Sequence, residues 1–91
     1  MSAAVYIAEV RISRAVAAKL AEKHNVTEQD VRDALVLTRL ERAGWDHDHD
    51  KGWRLLVTGT TFEGRRLNAV LYPADEHDGT WWLGTAMWAL T

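Results

Sequence analysis

Ninety-one residues suffice for one modest hydrophobic core and not for two. With no cysteine in the chain, neither a disulfide framework nor a thiolate metal site can hold it together. The formal charge of −2 divides into +1 over residues 1–44 (seven Lys/Arg, six Asp/Glu) and −3 over residues 45–91 (four and seven). The chain therefore lacks the net basic surface with which nucleic-acid binders usually neutralise phosphates, and any such role must rest on a local patch.

Met1–Val10 has no basic leader, and its apolar run stops at Glu9, so neither a signal peptide nor a spanning helix fits. We expect a single domain over residues 1–91, in a reducing cytoplasm and away from membranes. Ala4–Ile12 alternates weakly and reads as a short strand. Ser13 is a suitable N-cap for a helix over Arg14–His24, with Val16, Ala17, Leu20 and Ala21 as a narrow apolar stripe. Asn25 suits the left-handed residue that often closes a helix. Thr27-Glu28-Gln29-Asp30 then forms a capping box with Asp in the acceptor position, and Val26 and Val31 form a hydrophobic staple. The second helix is expected to end near Val36, burying Val31, Ala34 and Leu35.

A strand is expected near Thr38–Arg42, followed by a solvated loop or hairpin end at Asp46–Asp50. Trp53–Thr61 is a strand rich in β-branched residues, Thr61–Arg65 a turn with Gly64 at positive φ, and Arg66–Tyr72 the return strand, ended by Pro73. Asp78-Gly79 signals another turn, and Trp81–Ala89 is the last strand. The fold class is thus α+β: a short N-terminal strand, two helices, then an antiparallel sheet of three to four strands.

Alternation in the central hairpin places Leu55, Val57, Leu67, Ala69 and Leu71 on one face, where the helices can pack. Arg54, Leu56, Thr58, Arg66, Asn68, Val70 and Tyr72 fall on the other. That second face suits a phosphate-bearing or acidic ligand; its plainer reading is a solvated face with snorkelling arginines. In the last strand, strict alternation sets Trp81, Leu83 and Met87 against Trp82 and Trp88. So much aromatic surface on two faces suggests contact with a partner or a second copy, unless Trp82 and Trp88 wrap over the sheet edge.

Two further patterns invite chemistry. His47 and His49 could chelate a divalent ion, but nothing nearby supplies the remaining ligands of a structural cage, so no metal site is assigned. Lys23 and His24 end the first helix, where the dipole alone accounts for two cations. They are also a proton-transfer group beside a charge-stabilising one.

Three motifs together resemble the BrnT-like toxins, a branch of the RelE-type ribonuclease toxins. Lys23-His24-Asn25-Val26-Thr27 is similar to the family's Lys-His-Gly-Val-Ser run between two helices. Gly59-Thr60-Thr61-Phe62-Glu63-Gly64-Arg65-Arg66-Leu67, followed by Ala69-Val70-Leu71, is similar to its glycine- and arginine-bearing hairpin. Thr85-Ala86-Met87 stands at its final-strand Thr/Ser-Ala-Arg motif, with Met87 in place of the arginine and one cation fewer. The resemblance covers about residues 10–88. It implies a RelE-type fold, metal- and cofactor-independent RNA cleavage, and neutralisation by a cognate antitoxin. The matching catalytic positions are Lys23, His24 and Arg65; the hairpin's outer face adds Arg66 and Tyr72 as catalytic candidates. Arg54, Asn68, Trp82 and Trp88 are candidate binding residues for RNA, a protein partner or a second copy. The alternative to a ribonuclease is a non-catalytic interaction module, or a homo-oligomer, using the Trp-rich last strand.

Overall fold

The computed structural model describes residues 5–75 and 77–90. Its elements run β1 (Glu9–Arg11), α1 (Arg14–Lys19) continued by a π-helical turn (Leu20–His24), α2 (Glu28–Leu35), β2 (Arg42–Asp48), β3 (Gly52–Thr60), β4 (Arg66–Asp75) and β5 (Thr80–Trp88). The chain is α+β, as expected. The sheet, however, has five strands in the order β1-β5-β4-β3-β2 and is mixed, because β1 runs parallel to β5 while the other pairs are antiparallel.

Local chemistry explains the helices. The Ser13 hydroxyl accepts from the Val16 amide at 3.2 Å, occupying one of the donors a helix start leaves unpaired. The π-helical turn ends at Asn25, whose φ of 53° lies in the left-handed region. Leu20 is buried and Val16 and Ala17 are half-buried, but the widened turn carries Ala21 out to solvent. At α2 the capping box is complete: Thr27 Oγ1 accepts from the Asp30 amide at 3.0 Å, and Asp30 Oδ2 accepts from the Thr27 amide at 2.9 Å. Val26 and Val31 are both buried beneath it.

Helix α2 lies on β3 and β4, and the π-helical turn lies on β5, so the helices cover one face of the sheet. Leu55, Val57, Leu67, Ala69 and Leu71 are all buried there, together with Val31, Ala34 and Leu35 from α2. Gly59 sits directly under α2, and a Cβ there would overlap the Ala34 carbonyl oxygen. Among the described residues, no helix lies over the opposite face.

Four expectations need correction. The N-terminal strand shrinks to Glu9–Arg11 (the expected start, Ala4, lies outside the described residues), because among the described residues before α1 only these three pair with β5. The strand after α2 is Arg42–Asp48, later than expected, and it absorbs Asp46, His47 and Asp48. Its turn is set by Asp48, whose Oδ1 accepts from the amides of Asp50 (2.8 Å) and Lys51 (3.1 Å), and by Gly52 at φ 81°. Pro73 does not end β4, which runs on to Asp75. Beyond Leu71 that strand pairs only with β5, so a residue without an N–H is tolerated.

The fourth correction concerns β5. Val70 pairs with Thr85 but Leu71 pairs with Leu83, so Gly84 is an extra residue, a β-bulge. The bulge inverts the alternation. Ala86 and Trp88 join Trp81 and Leu83 on the helix side, and Met87 joins Trp82 on the open side.

Candidate functional site

One cluster forms where three distant segments meet. The Trp88 indole N–H donates to the Asn25 carbonyl oxygen at 3.2 Å. The Arg65 guanidinium carbon lies 3.6 Å from the centre of a Trp88 ring, a close cation–π stack. Arg65 is held by its turn: Thr61 N–H donates to the Arg65 carbonyl at 2.9 Å, Arg65 N–H donates to Thr61 Oγ1 at 3.2 Å, and Gly64 takes φ 89°. A recess of about 220 Å³ opens here between Gly64, Arg65, Arg66 and Trp88. Lys23 and His24 stand at the end of the π-helical turn, immediately before Asn25; Lys23 is exposed and His24 half-buried. Among the described residues, neither side chain has a hydrogen bond or ion pair.

Arg66 begins β4 and is already matched, its Nε lying 2.8 Å from Glu41 Oε2.

The second cluster lies toward the other end of the open face. Arg54 reaches across to β2, with Nη2 2.7 Å from Asp46 Oδ2 and Nη1 3.2 Å from Asp48 Oδ2. Asp46, and after it Tyr72, raises the guanidinium above its ordinary value, so Arg54 is a fixed cation. The Asp48 carboxyl is held below the ordinary carboxylate range, chiefly by the amide of Asp50, then that of Lys51, with Arg54 adding its charge. The Lys51 ammonium lies 5.6 Å from the Tyr72 ring centre.

The five candidate catalytic residues therefore do not form one site. Arg65 belongs to the Trp88 corner, and Lys23 and His24 adjoin it along the chain, directly before Asn25. Tyr72 lies six residues along β4 from Arg66, about 20 Å at roughly 3.3 Å per residue. Proton transfer requires hydrogen-bond reach of about 3 Å, so Tyr72 cannot serve the same phosphodiester as that corner.

The binding candidates divide in the same way. Asn68 accepts the Thr58 hydroxyl at 2.6 Å in the middle of the open face. They line a shallow concavity of about 360 Å³ with Leu56, Val70 and Met87. Trp82 is exposed on that face under Arg11, 5.8 Å away. Trp88 is half-buried on the helix side.

Sequence reasoning missed the carboxylates that neutralise the face. Asp46 and Asp48 lie in a strand and not in the expected loop, and their spacing of two, with Asp46 opposite Arg54, is the signal of a cross-strand ion pair. Glu41 had no such signal, being 25 residues from Arg66. His47 and His49 have ring centres 6.3 Å apart, and His47 packs edge-on to Trp53 at 5.0 Å. No group of three or more His, Cys, Asp or Glu residues suited to a metal ion occurs among the described residues. No helix in that range is long and apolar enough to cross a membrane.

Compared with known proteins, the chain matches no family model, and no curated protein or solved structure matches it significantly.

Proposed function

We propose that this chain is a toxin-related protein on a RelE-type, BrnT-like fold, with its active centre at the Lys23, His24, Arg65 corner. One observation carries this reading: the three segments that resemble the toxin motifs are far apart in sequence, and Trp88 ties them together. It bonds Asn25 on one side and stacks under Arg65 on the other. In the proposed reaction the His24 imidazole takes the proton of a ribose 2′-hydroxyl, since histidine suits proton transfer near neutral pH. The 2′-oxygen then attacks phosphorus to give a 2′,3′-cyclic phosphate as the P–O5′ bond breaks, and water protonates the departing 5′-oxygen. Lys23 and Arg65 stabilise the added negative charge. A cognate antitoxin would cover this corner.

Expression of the chain alone is expected to arrest growth, and the purified chain to cut RNA in the presence of a chelator. His24→Ala is expected to slow cleavage about 10²- to 10⁴-fold, the usual contribution of a proton-transfer group. Unimpaired growth with intact bulk RNA would refute the proposal.

A second reading, a non-catalytic interaction module, is favoured by the open face. Arg11, Arg54 and Arg66 there are each paired with a carboxylate, with Arg42 the exception, while Leu56, Val70, Trp82 and Met87 supply apolar surface. Matched arginines have few counterions to release, which suits a protein ligand better than a polyanion. Under this reading, Trp82→Ala weakens partner capture and leaves RNA intact in every assay.

A further inference from the structure

We infer that strand β2 is a self-association edge, along which two copies of this chain pair antiparallel about Trp45 to continue the sheet. The two outermost strands of the sheet are β1, only three residues long, and β2, which is seven. A very short edge strand is one way proteins prevent edge-to-edge pairing. Strand β2 contains neither proline nor lysine, and its register with β3 runs from Arg42 to Asp48 without a shift; the charges it does carry are of opposite sign at its two ends, Arg42 at one and Asp46 and Asp48 at the other. At roughly 3.3 Å per residue it offers about 23 Å of unpaired backbone donors and acceptors.

Charge selects the orientation. With full antiparallel overlap, Arg42 of one copy lies opposite Asp48 of the other, twice by symmetry. Gly44 then faces Asp46, Ala43 faces His47, and Trp45 faces Trp45. Parallel pairing in register would set Arg42 against Arg42 and each aspartate against itself, which is destabilising. Arg42 is exposed and has no ion-pair partner among the described residues, so it is available for this contact.

The helix-side surface supports the same occupant. Trp45, 47% exposed, lies 5.8 Å from Trp81, and Trp53 is 60% exposed. Beside Trp45 a concavity of about 600 Å³ is lined by Val5, Leu40, Ala43 and Leu55. Directly opposed residues share a sheet face, so the second copy's Trp45 arrives on the side of this concavity. The pairing is isologous and closes as a two-fold dimer.

Sedimentation of the full chain from about 1 μM to about 1 mM should show a monomer–dimer equilibrium. Arg42→Glu, checked by circular dichroism, should raise the dissociation constant about tenfold or more, since both cross-copy pairs become like-charged. The register is tested by mild oxidation of Ala43→Cys and His47→Cys chains, which have no other cysteine. Opposed residues have Cα atoms about 4.5–5.5 Å apart, within disulfide range. The mixture should therefore cross-link while each variant alone does not. A monomer throughout, a dimer indifferent to Arg42→Glu, or cross-linking of Ala43→Cys alone would each overturn the inference.

Discussion

Replacing Gly59 with alanine sets two effects against each other. Backbone entropy favours the change, since glycine inside a regular element is about 0.5–1 kcal/mol worse than alanine. Packing opposes it. The new Cβ would stand 2.9 Å from the Ala34 carbonyl carbon and 3.0 Å from Leu35 Cδ2, and would overlap the Ala34 oxygen. Leu35 can turn aside, but the Ala34 carbonyl is helix backbone and also accepts the Thr38 hydroxyl at 2.7 Å. Helix α2 must therefore lift off β3, loosening the contacts of Val31, Ala34 and Leu35. Overpacking of a core costs about 1–3 kcal/mol, and a backbone clash belongs at the upper end. Packing should win by about 2 kcal/mol, which lowers the melting temperature by about 8–16 °C for a domain of this size. Urea and thermal unfolding followed by circular dichroism measure both quantities. A Gly59→Ala chain as stable as the parent, or more so, would refute the close approach of α2 to β3.

Two other predictions concern local stability. Thr27→Ala removes one half of the α2 capping box and should cost about 1 kcal/mol in urea unfolding; Asp30→Ala should cost a similar amount, and the double variant less than the sum. Asp48 titrates below the ordinary carboxylate range, so its contribution is present above the unfolded-state value and lost as pH falls through the lower folded-state value. In acid, the β2–β3 turn should loosen as Asp48 protonates, seen as exchange broadening of the Asp50 and Lys51 amides. Asp48→Asn keeps an acceptor oxygen but not the charge, and should remove that pH dependence; its persistence in the variant would refute the assignment.

The features legible in the sequence are those governed by near neighbours. The Thr27/Asp30 box, the Asn25 stop and the Gly64 turn each depend on dihedral preferences and hydrogen bonds within six residues. The buried face of the central hairpin follows from strict alternation across one tight turn. What lay beyond reach depends on pairs distant along the chain. The parallel seat of β1 on β5 joins residues about 70 positions apart. The Gly84 bulge, which turns Trp88 inward and Met87 outward, exists only relative to β4. Asp46 and Asp48 become strand residues because β2 pairs with β3, Asp46 opposite Arg54 and Asp48 opposite Gly52. The candidate site divides for the same reason. Sequence chemistry names Lys23, His24, Arg65 and Tyr72, but the direction of β4 carries Tyr72 away while the Trp88 contacts draw the other segments together. Local chemistry thus determined which elements form and where the helices and tight turns stop, and the tertiary pairing decided where the strands begin and end and which of their side chains come together.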